Sequence, residues 1–179
     1  MTPRETYITD DMRGLLDKTM HTQTAFPIDK SDIRKWAMAV YYPNVPPREF
    51  WDEEYAAATV WQGIVAPEEL NPFTWMVRDP LPVDALVGGG GDRRFGDFEG
   101  PMGVDPPPYR AVLQGQVIAT YSEVRMRPGD VISARTYISD YFERTGRMGL
   151  QLYTTVSVDF TNQNDEWIKR LDTVFVRYE

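Results

Sequence analysis

The clearest pattern in the chain is a two-residue alternation near its C-terminal end. Leu150, Leu152, Thr154, Val156, Val158 and Phe160 occupy every second position across eleven residues, which places them on one face of a β-strand. Val117, Ala119 and Tyr121 alternate in the same way, as do Ile132, Ala134, Thr136 and Ile138, and Trp167 to Tyr178 supplies a fourth strand. Turn signals separate these runs at Arg127-Pro128-Gly129-Asp130, at Thr145-Gly146-Arg147 and at Asn162-Gln163-Asn164-Asp165. Connections this short make neighbouring strands antiparallel, so the pattern predicts a four-strand meander. Gln23 to Ile28 is a further short strand and the fifth member of the sheet.

Helical spacing precedes this β-rich half. The segment from about Arg4 to Met20 carries Met12, Leu15, Leu16 and Thr19 on one side and reads as a helix. A clearer one, capped by Asp29 or Ser31, places Ile33, Trp36, Ala37 and Val40 at i, i+3, i+4 and i+7. Pro43, Pro46 and Pro47 end it, because proline lacks the N–H of the helical ladder. Trp51 to Thr59 makes another short helix. Pro67, followed by Glu68 and Glu69 near the positive end of the dipole, opens a fourth that runs to about Val77. Its Leu70, Phe73, Trp75 and Met76 make it the predicted cover for the sheet's apolar face. Helices first and strands afterwards is an α+β order.

Between these halves, Leu86 to Arg110 has no period of either kind and holds seven Gly and four Pro in 25 residues. A stretch of this length inside a compact domain is either functional or a loose surface excursion. Its Arg93, Arg94, Phe95, Phe98, Met102 and Tyr109 suit a flap over a binding tunnel better than a solubilising linker.

Length and composition narrow the function. At 179 residues the chain is read as one domain, residues 1–179, and its 42% apolar fraction is that of a globular protein. Nineteen Lys and Arg against 27 Asp and Glu give a net charge of -8, which disfavours nucleic acid and anionic membrane as partners. Zero Cys removes disulfides and thiolate nucleophiles, and the single imidazole, His21, makes a Ser-His-Asp triad or a multi-histidine metal site improbable. Met1 to Lys18 is polar, with no apolar stretch of the kind a signal peptide or membrane span needs, so the expected location is the cytoplasm.

Four stretches then stand out together: Phe26 to Ala37 (FPIDKSDIRKWA), Tyr42-Pro43-Asn44, Trp51 to Ala56 (WDEEYA) and Gln62 to Pro67 (QGIVAP). With Arg127 to Ile132 and Phe160 to Gln163, they resemble the N-terminal, FAS1-like dehydratase domain of the MaoC-like hydratases. The resemblance implies a hot-dog fold, an antiparallel sheet of about five strands wrapped around a central helix. It also makes the Gly/Pro-rich stretch at about 86–110 an insertion.

Active members of that family are (R)-specific enoyl-CoA hydratases or hydroxyacyl dehydratases. They use an Asp and a His in the pattern D-x-N-P-x-H to activate the added water, a general acid-base task. Laid on this chain, the Asp position is Tyr42, the Asn is Asn44, the Pro is Val45 and the His position is Pro47. Neither proton-transfer group is present; a tyrosine with an ordinary pKa of about 10 is a poor base at neutral pH, and proline does not titrate. His21 lies upstream in a polar stretch and does not replace them.

Other positions carry candidate binding roles. Gly63, with Ile64 and Val65, stands where the family's glycine N–H polarises the thioester carbonyl; the same glycine also suits a tight turn into the segment at Pro67. Arg144 and Arg147 flank a hairpin turn and are candidates for CoA phosphates, or a solvated pair of turn charges. The aromatic set Trp36, Trp51, Tyr55, Trp61, Phe73 and Trp75 is either core or one wall of an acyl tunnel.

The resemblance also answers the missing acid and base, since the family pairs degenerate N-terminal halves with competent C-terminal ones and in some cases splits them into separate chains. The chain is therefore expected to be the non-catalytic subunit of a heteromeric enoyl-CoA hydratase, inactive alone. Its partner would be a smaller MaoC-like hot-dog subunit that brings Asp and His. The substrate implied is a coenzyme A thioester of a bulky acyl group, such as a steroid side chain or long fatty acyl chain, with no cofactor and no metal. The rivals are an acyl-CoA-binding or assembly module without hydratase activity, and a thioesterase on the same fold.

Overall fold

The computed structural model describes residues 5–76, 96–147 and 149–178. Five antiparallel strands form one sheet: β1 (Thr19–Thr24), β2 (Ala111–Tyr121), β3 (Ser133–Gly146), β4 (Gly149–Thr161) and β5 (Trp167–Tyr178). Their order across the sheet is β1-β3-β4-β5-β2. The predicted alternation is visible in the burial. Leu152, Thr154 and Phe160 of β4 are buried on one face, and Ala134, Ile138 and Tyr141 of β3 lie on that same face, a bulge between Ile138 and Asp140 keeping the register in phase.

The meander holds for β3-β4-β5 and fails for β2, which pairs with β5 at the far edge and not with β3. The predicted turn Arg127-Pro128-Gly129-Asp130 forms, with Asp130 Oδ2 accepting from Arg127 N at 2.7 Å, but it is tied to another part of the chain. Gly129 N donates to Ile28 O, Ile28 N to Asp130 O and Ala25 N to Ile132 O. The chain therefore enters β3 beside the segment that follows β1, having crossed the sheet from β2.

Three helices are described: α1 (Asp10–Arg13), α2 (Lys30–Tyr41) and α3 (Glu53–Ala57). The Asp29 capping box starts α2, the Asp29 side chain accepting from backbone N–H groups and Asp32 reaching back to the Asp29 N–H. Ile33 and Ala37 of α2 are fully buried in the cluster that holds Ala134, Ile132 and Phe160, so α2 is the helix laid on the sheet. Val40 departs from the predicted face; it is exposed, and Tyr41 packs against the cluster instead.

Two predicted helices are corrected. Arg4 to Met20 contains only the single turn α1, capped by Thr9, after which the chain turns at Gly14 and begins β1 at Thr19. The strand expected at Gln23 to Ile28 is this β1, displaced toward the N-terminus. Of the helix expected over Pro67 to Val77, Pro67 to Met76 is a turn followed by a 3-10 segment, Pro72–Trp75, and Val77 lies outside the described residues. A helix through Pro72 would lose one ladder bond and set the proline ring against the Glu68 carbonyl. That carbonyl and the Leu70 carbonyl are occupied instead by Lys169 Nζ at 3.0 and 2.8 Å. Leu70 and Phe73 are nonetheless buried and cover the sheet as expected.

A second cluster covers the other end of the same face. Tyr7, Met12 and Leu15 pack on Ile138, Tyr141 and Leu152, together with Phe98, Met102 and Val104. The Leu86-to-Arg110 stretch is thus docked on the sheet from residue 96 onward, which corrects the mobile-flap reading for that part; Leu86 to Phe95 lie outside the described residues.

Candidate functional site

The loop that carries the expected acid-base positions leaves α2 at Tyr42, which is 83% exposed, and passes Val45, 79% exposed. Asn44 N closes the turn onto Tyr41 O at 2.8 Å, and Trp51 Nε1 donates to Pro46 O at 3.0 Å. Pro47 precedes the 3-10 segment Arg48–Phe50. Neither Tyr42 nor Pro47 carries a carboxylate or imidazole.

Gln62 adopts a left-handed φ of 54° and Gly63 a φ of 154°. The Gly63 N–H donates to Ala56 O at 3.1 Å, so in this conformation it closes the end of α3 and does not point at a ligand. Ile64 and Val65 are buried in the α2 cluster, Val65 N donating to Glu49 O and Ala66 N to Met126 O. Ile64 also lines a cavity of about 260 Å³ with Asp29, Lys30, Arg34, Phe50 and Trp51. In its wall Lys30 Nζ lies 2.7 Å from Glu53 Oε2, and the Ser31 backbone N–H holds the Asp29 carboxyl below the usual range.

Arg144 and Arg147 are exposed at the opposite end of β3. The Arg144 guanidinium sits 5.2 Å from the Phe142 ring centroid and 5.6 Å from that of Tyr153. Arg144 is eleven residues along β3 from Ser133, which adjoins the α2 cluster; at strand rise that is roughly 36 Å. The structure therefore brings Gly63, Ile64 and Val65 together and leaves the two arginines apart from them. His21 is exposed on β1 opposite Thr136. Of the aromatic set, Phe73 is buried, Trp36 and Trp61 pack on the core, and Trp51 and Tyr55 are 41% and 42% exposed.

Sequence reasoning missed the buried charges that hold the loops onto this face. Arg125 donates to Glu68 Oε1 at 2.8 Å and to Ala66 O at 2.9 Å, and stacks 5.3 Å over the Trp61 ring. Lys169, 2% exposed, lies 5.1 Å from the Phe160 ring centroid, and burial pushes its amine down to about 8. Arg177 and Glu99, 1% and 0% exposed, form a bidentate pair at 2.6 Å. A signal existed for the lysine and this arginine: the alternation that turns Leu171 inward also turns Lys169 and Arg177 inward.

Strand β2 is the other exposed feature. It is an edge strand with no charged residue among its eleven, and Leu113, Val117 and Ile118 are 54%, 53% and 44% exposed. Among the described residues no group of three or more His, Cys, Asp or Glu could hold a metal, and no helix is long and apolar enough to cross a membrane.

The model of the FAS1-like dehydratase domain region matches residues 18–171. No curated protein sequence matches the chain. Among solved structures, the ChsH1-ChsH2 complex of Mycobacterium tuberculosis contains a chain 20% identical, with a TM-score of 0.57 over 88% of this chain and 83% of that one. The 3R-hydroxyacyl-ACP dehydratase complex HadBC of Mycobacterium tuberculosis matches at 18% identity and a TM-score of 0.51 over 90% and 99%. A MaoC-like dehydratase from Rhodospirillum rubrum matches at 15% and 0.51 over 89% and 91%. These likenesses show the hot-dog fold.

Proposed function

The chain belongs to the FAS1-like dehydratase domain family, and from that membership we propose that it is the non-catalytic, substrate-shaping subunit of a heteromeric enoyl-CoA hydratase. The observation that carries this reading is the conjunction of Tyr42 and Pro47 at the acid-base positions with an open, uncharged β2 edge. Natural sheets protect their edges with charges, proline, bulges or a covering element, because unpaired N–H and C=O groups recruit another strand. Among the described residues the device at this edge is a bulge between Gln114 and Gln116, and the exposed apolar side chains suit a second hot-dog sheet continuing from β2. The two heteromeric complexes among the structural matches support a paired arrangement.

In that assembly the partner's Asp and His do the proton work. A base takes a proton from water as its oxygen bonds to C3 of the trans-2-enoyl thioester, and an acid returns a proton to C2. This chain contributes shape and apolar wall. The substrate class we assign is a coenzyme A thioester with a bulky acyl group.

The test compares the purified chain with its complex with a catalytic hot-dog subunit, following loss of enoyl-thioester absorbance. The chain alone is expected to be inactive and the complex active. Hydration by the chain alone, or release of free CoA without hydration, overturns the proposal.

A further inference from the structure

The most heavily engineered contact in the molecule lies at the end of the sheet away from Gly63. Arg177 Nη1 donates to Glu99 Oε2 at 2.6 Å and to Gly96 O at 3.1 Å, while Nη2 donates to Glu99 Oε1 and Thr154 Oγ1, each at 2.6 Å. Tyr141 Oη donates to the same Glu99 oxygen at 2.9 Å. One carboxylate from a segment without strand structure is thereby bonded to side chains of β3 and β5, and its guanidinium partner is bonded in turn to β4.

Apolar contact already covers this end. Phe98 lies 4.7 Å from Phe175 between ring centroids, and Met102 and Val104 pack on the cluster of Tyr141 and Leu152. Such contacts are non-directional and do not fix where an irregular segment stops along a flat face. A buried ion pair adds little net stability, because both charges must be desolvated, but its hydrogen bonds have fixed directions. The contribution of this cluster is therefore position.

What it positions is the start of β2. Arg177 is the register partner of Val112, and Arg110 N donates to Tyr178 O. Gly96 presses on the same Val112, so closely that a Cβ at 96 would lie 2.5 Å from Val112 Cγ2. Past the bulge between Gln114 and Gln116, Val117 and Ile118 stand exposed. We propose that the Glu99–Arg177 pair is a clasp that sets the first four residues of the β2 edge, 111–114, in the geometry needed to accept the partner's strand, making Glu99 and Arg177 positioning residues for assembly. This rests on the reading of β2 as the partner-binding edge.

Hydrogen exchange of the full-length chain, read by mass spectrometry at 111–114 and at 117–121, tests it. Arg177→Met and Glu99→Leu each leave a buried charge unpaired and are expected to lower the unfolding midpoint. The paired variant Glu99→Leu/Arg177→Met, with an apolar pair in place of the ionic one, unpairs no charge and is expected to lower the midpoint less than either single variant, the remaining loss coming from the Tyr141 hydroxyl, the Thr154 hydroxyl and the Gly96 carbonyl left without partners. It should still exchange about tenfold faster at 111–114, with 117–121 little changed. Tyr141→Phe and Thr154→Val remove one bond each without unpairing a charge and should give a smaller acceleration at 111–114. They also decide the matter if the paired variant does not fold. Unchanged exchange at 111–114 in every folded variant, or equal acceleration along the whole of β2, overturns the proposal. Adding the catalytic hot-dog subunit to the unsubstituted chain tests the underlying reading separately. Protection that appears elsewhere than β2 defeats that reading, while the exchange differences in the free chain still judge the clasp.

Discussion

Lys169 offers a stability test whose sign and size follow from its surroundings. Its ammonium is buried beneath the 67–72 turn, donating to the Glu68 and Leu70 carbonyls, and it titrates at about 8 in place of 10.5. That difference corresponds to a cost of about 3 kcal/mol for keeping the group charged in the fold. Because the folded value is depressed, the unfolded chain holds the proton through the interval from about 8 to 10.5 while the folded chain releases it. The unfolded state then binds more protons, so this group's contribution to stability rises with pH across that interval. Between pH 7 and pH 9 the gain is about 1.3 kcal/mol. The Tyr121, Tyr137 and Tyr141 hydroxyls are pushed up, chiefly by burial, and act oppositely once the pH approaches their ordinary range. Comparison with Lys169→Met cancels them. At pH 7 the variant escapes the charge burial but leaves two carbonyls without their donor, each costing about 1 to 3 kcal/mol. Urea unfolding followed by tryptophan fluorescence, on both proteins at pH 7, 8 and 9, reads the difference directly. The unsubstituted protein is expected to gain about 1.3 kcal/mol on the variant over this range, roughly 3 to 5 °C in thermal midpoint. A gap independent of pH would refute the reasoning, since the amine would then titrate as an exposed lysine does.

Three further outcomes are expected. Gly63→Ala meets open space, its nearest neighbour being Arg127 Nη1 at 3.9 Å, so the loss of about 1 to 2 kcal/mol expected in urea unfolding comes from backbone strain at φ 154°. Val117→Lys and Ile118→Lys change side chains that are about half exposed and should move stability by no more than about 0.5 kcal/mol, yet abolish assembly with a catalytic hot-dog subunit in sedimentation. Tyr42→Phe should leave the turnover of the complex unchanged within about twofold, because a phenol is not a general base of the carboxylate or imidazole kind and Tyr42 is 83% exposed; a loss of a hundredfold would assign it a catalytic role.

Alternation was enough to identify strands β3 and β4 and the face each buries, because side-chain direction repeats every two residues whatever lies across the sheet. The Asp29 cap and the Ile33–Ala37 stripe of α2 were legible for the same local reason, as were the turns at Asp130 and Asn162, whose side chains bond backbone N–H groups a few residues away. Which strand β2 joins is a non-local matter, decided where the 127–130 turn bonds the segment after β1. Pro67 to Val77 has the spacing of a helix, but Pro72 and the capture of two carbonyls by a lysine about a hundred residues away make a turn of it. The Gly/Pro-rich stretch reads as a flap until Glu99 meets Arg177, a pair 78 residues apart that only the folded sheet brings within hydrogen-bonding distance. Periodicity specifies how each segment presents its side chains; which buried donors find which acceptors is decided by tertiary contact, and here that contact anchors the loops and the edge where the proposed partner joins.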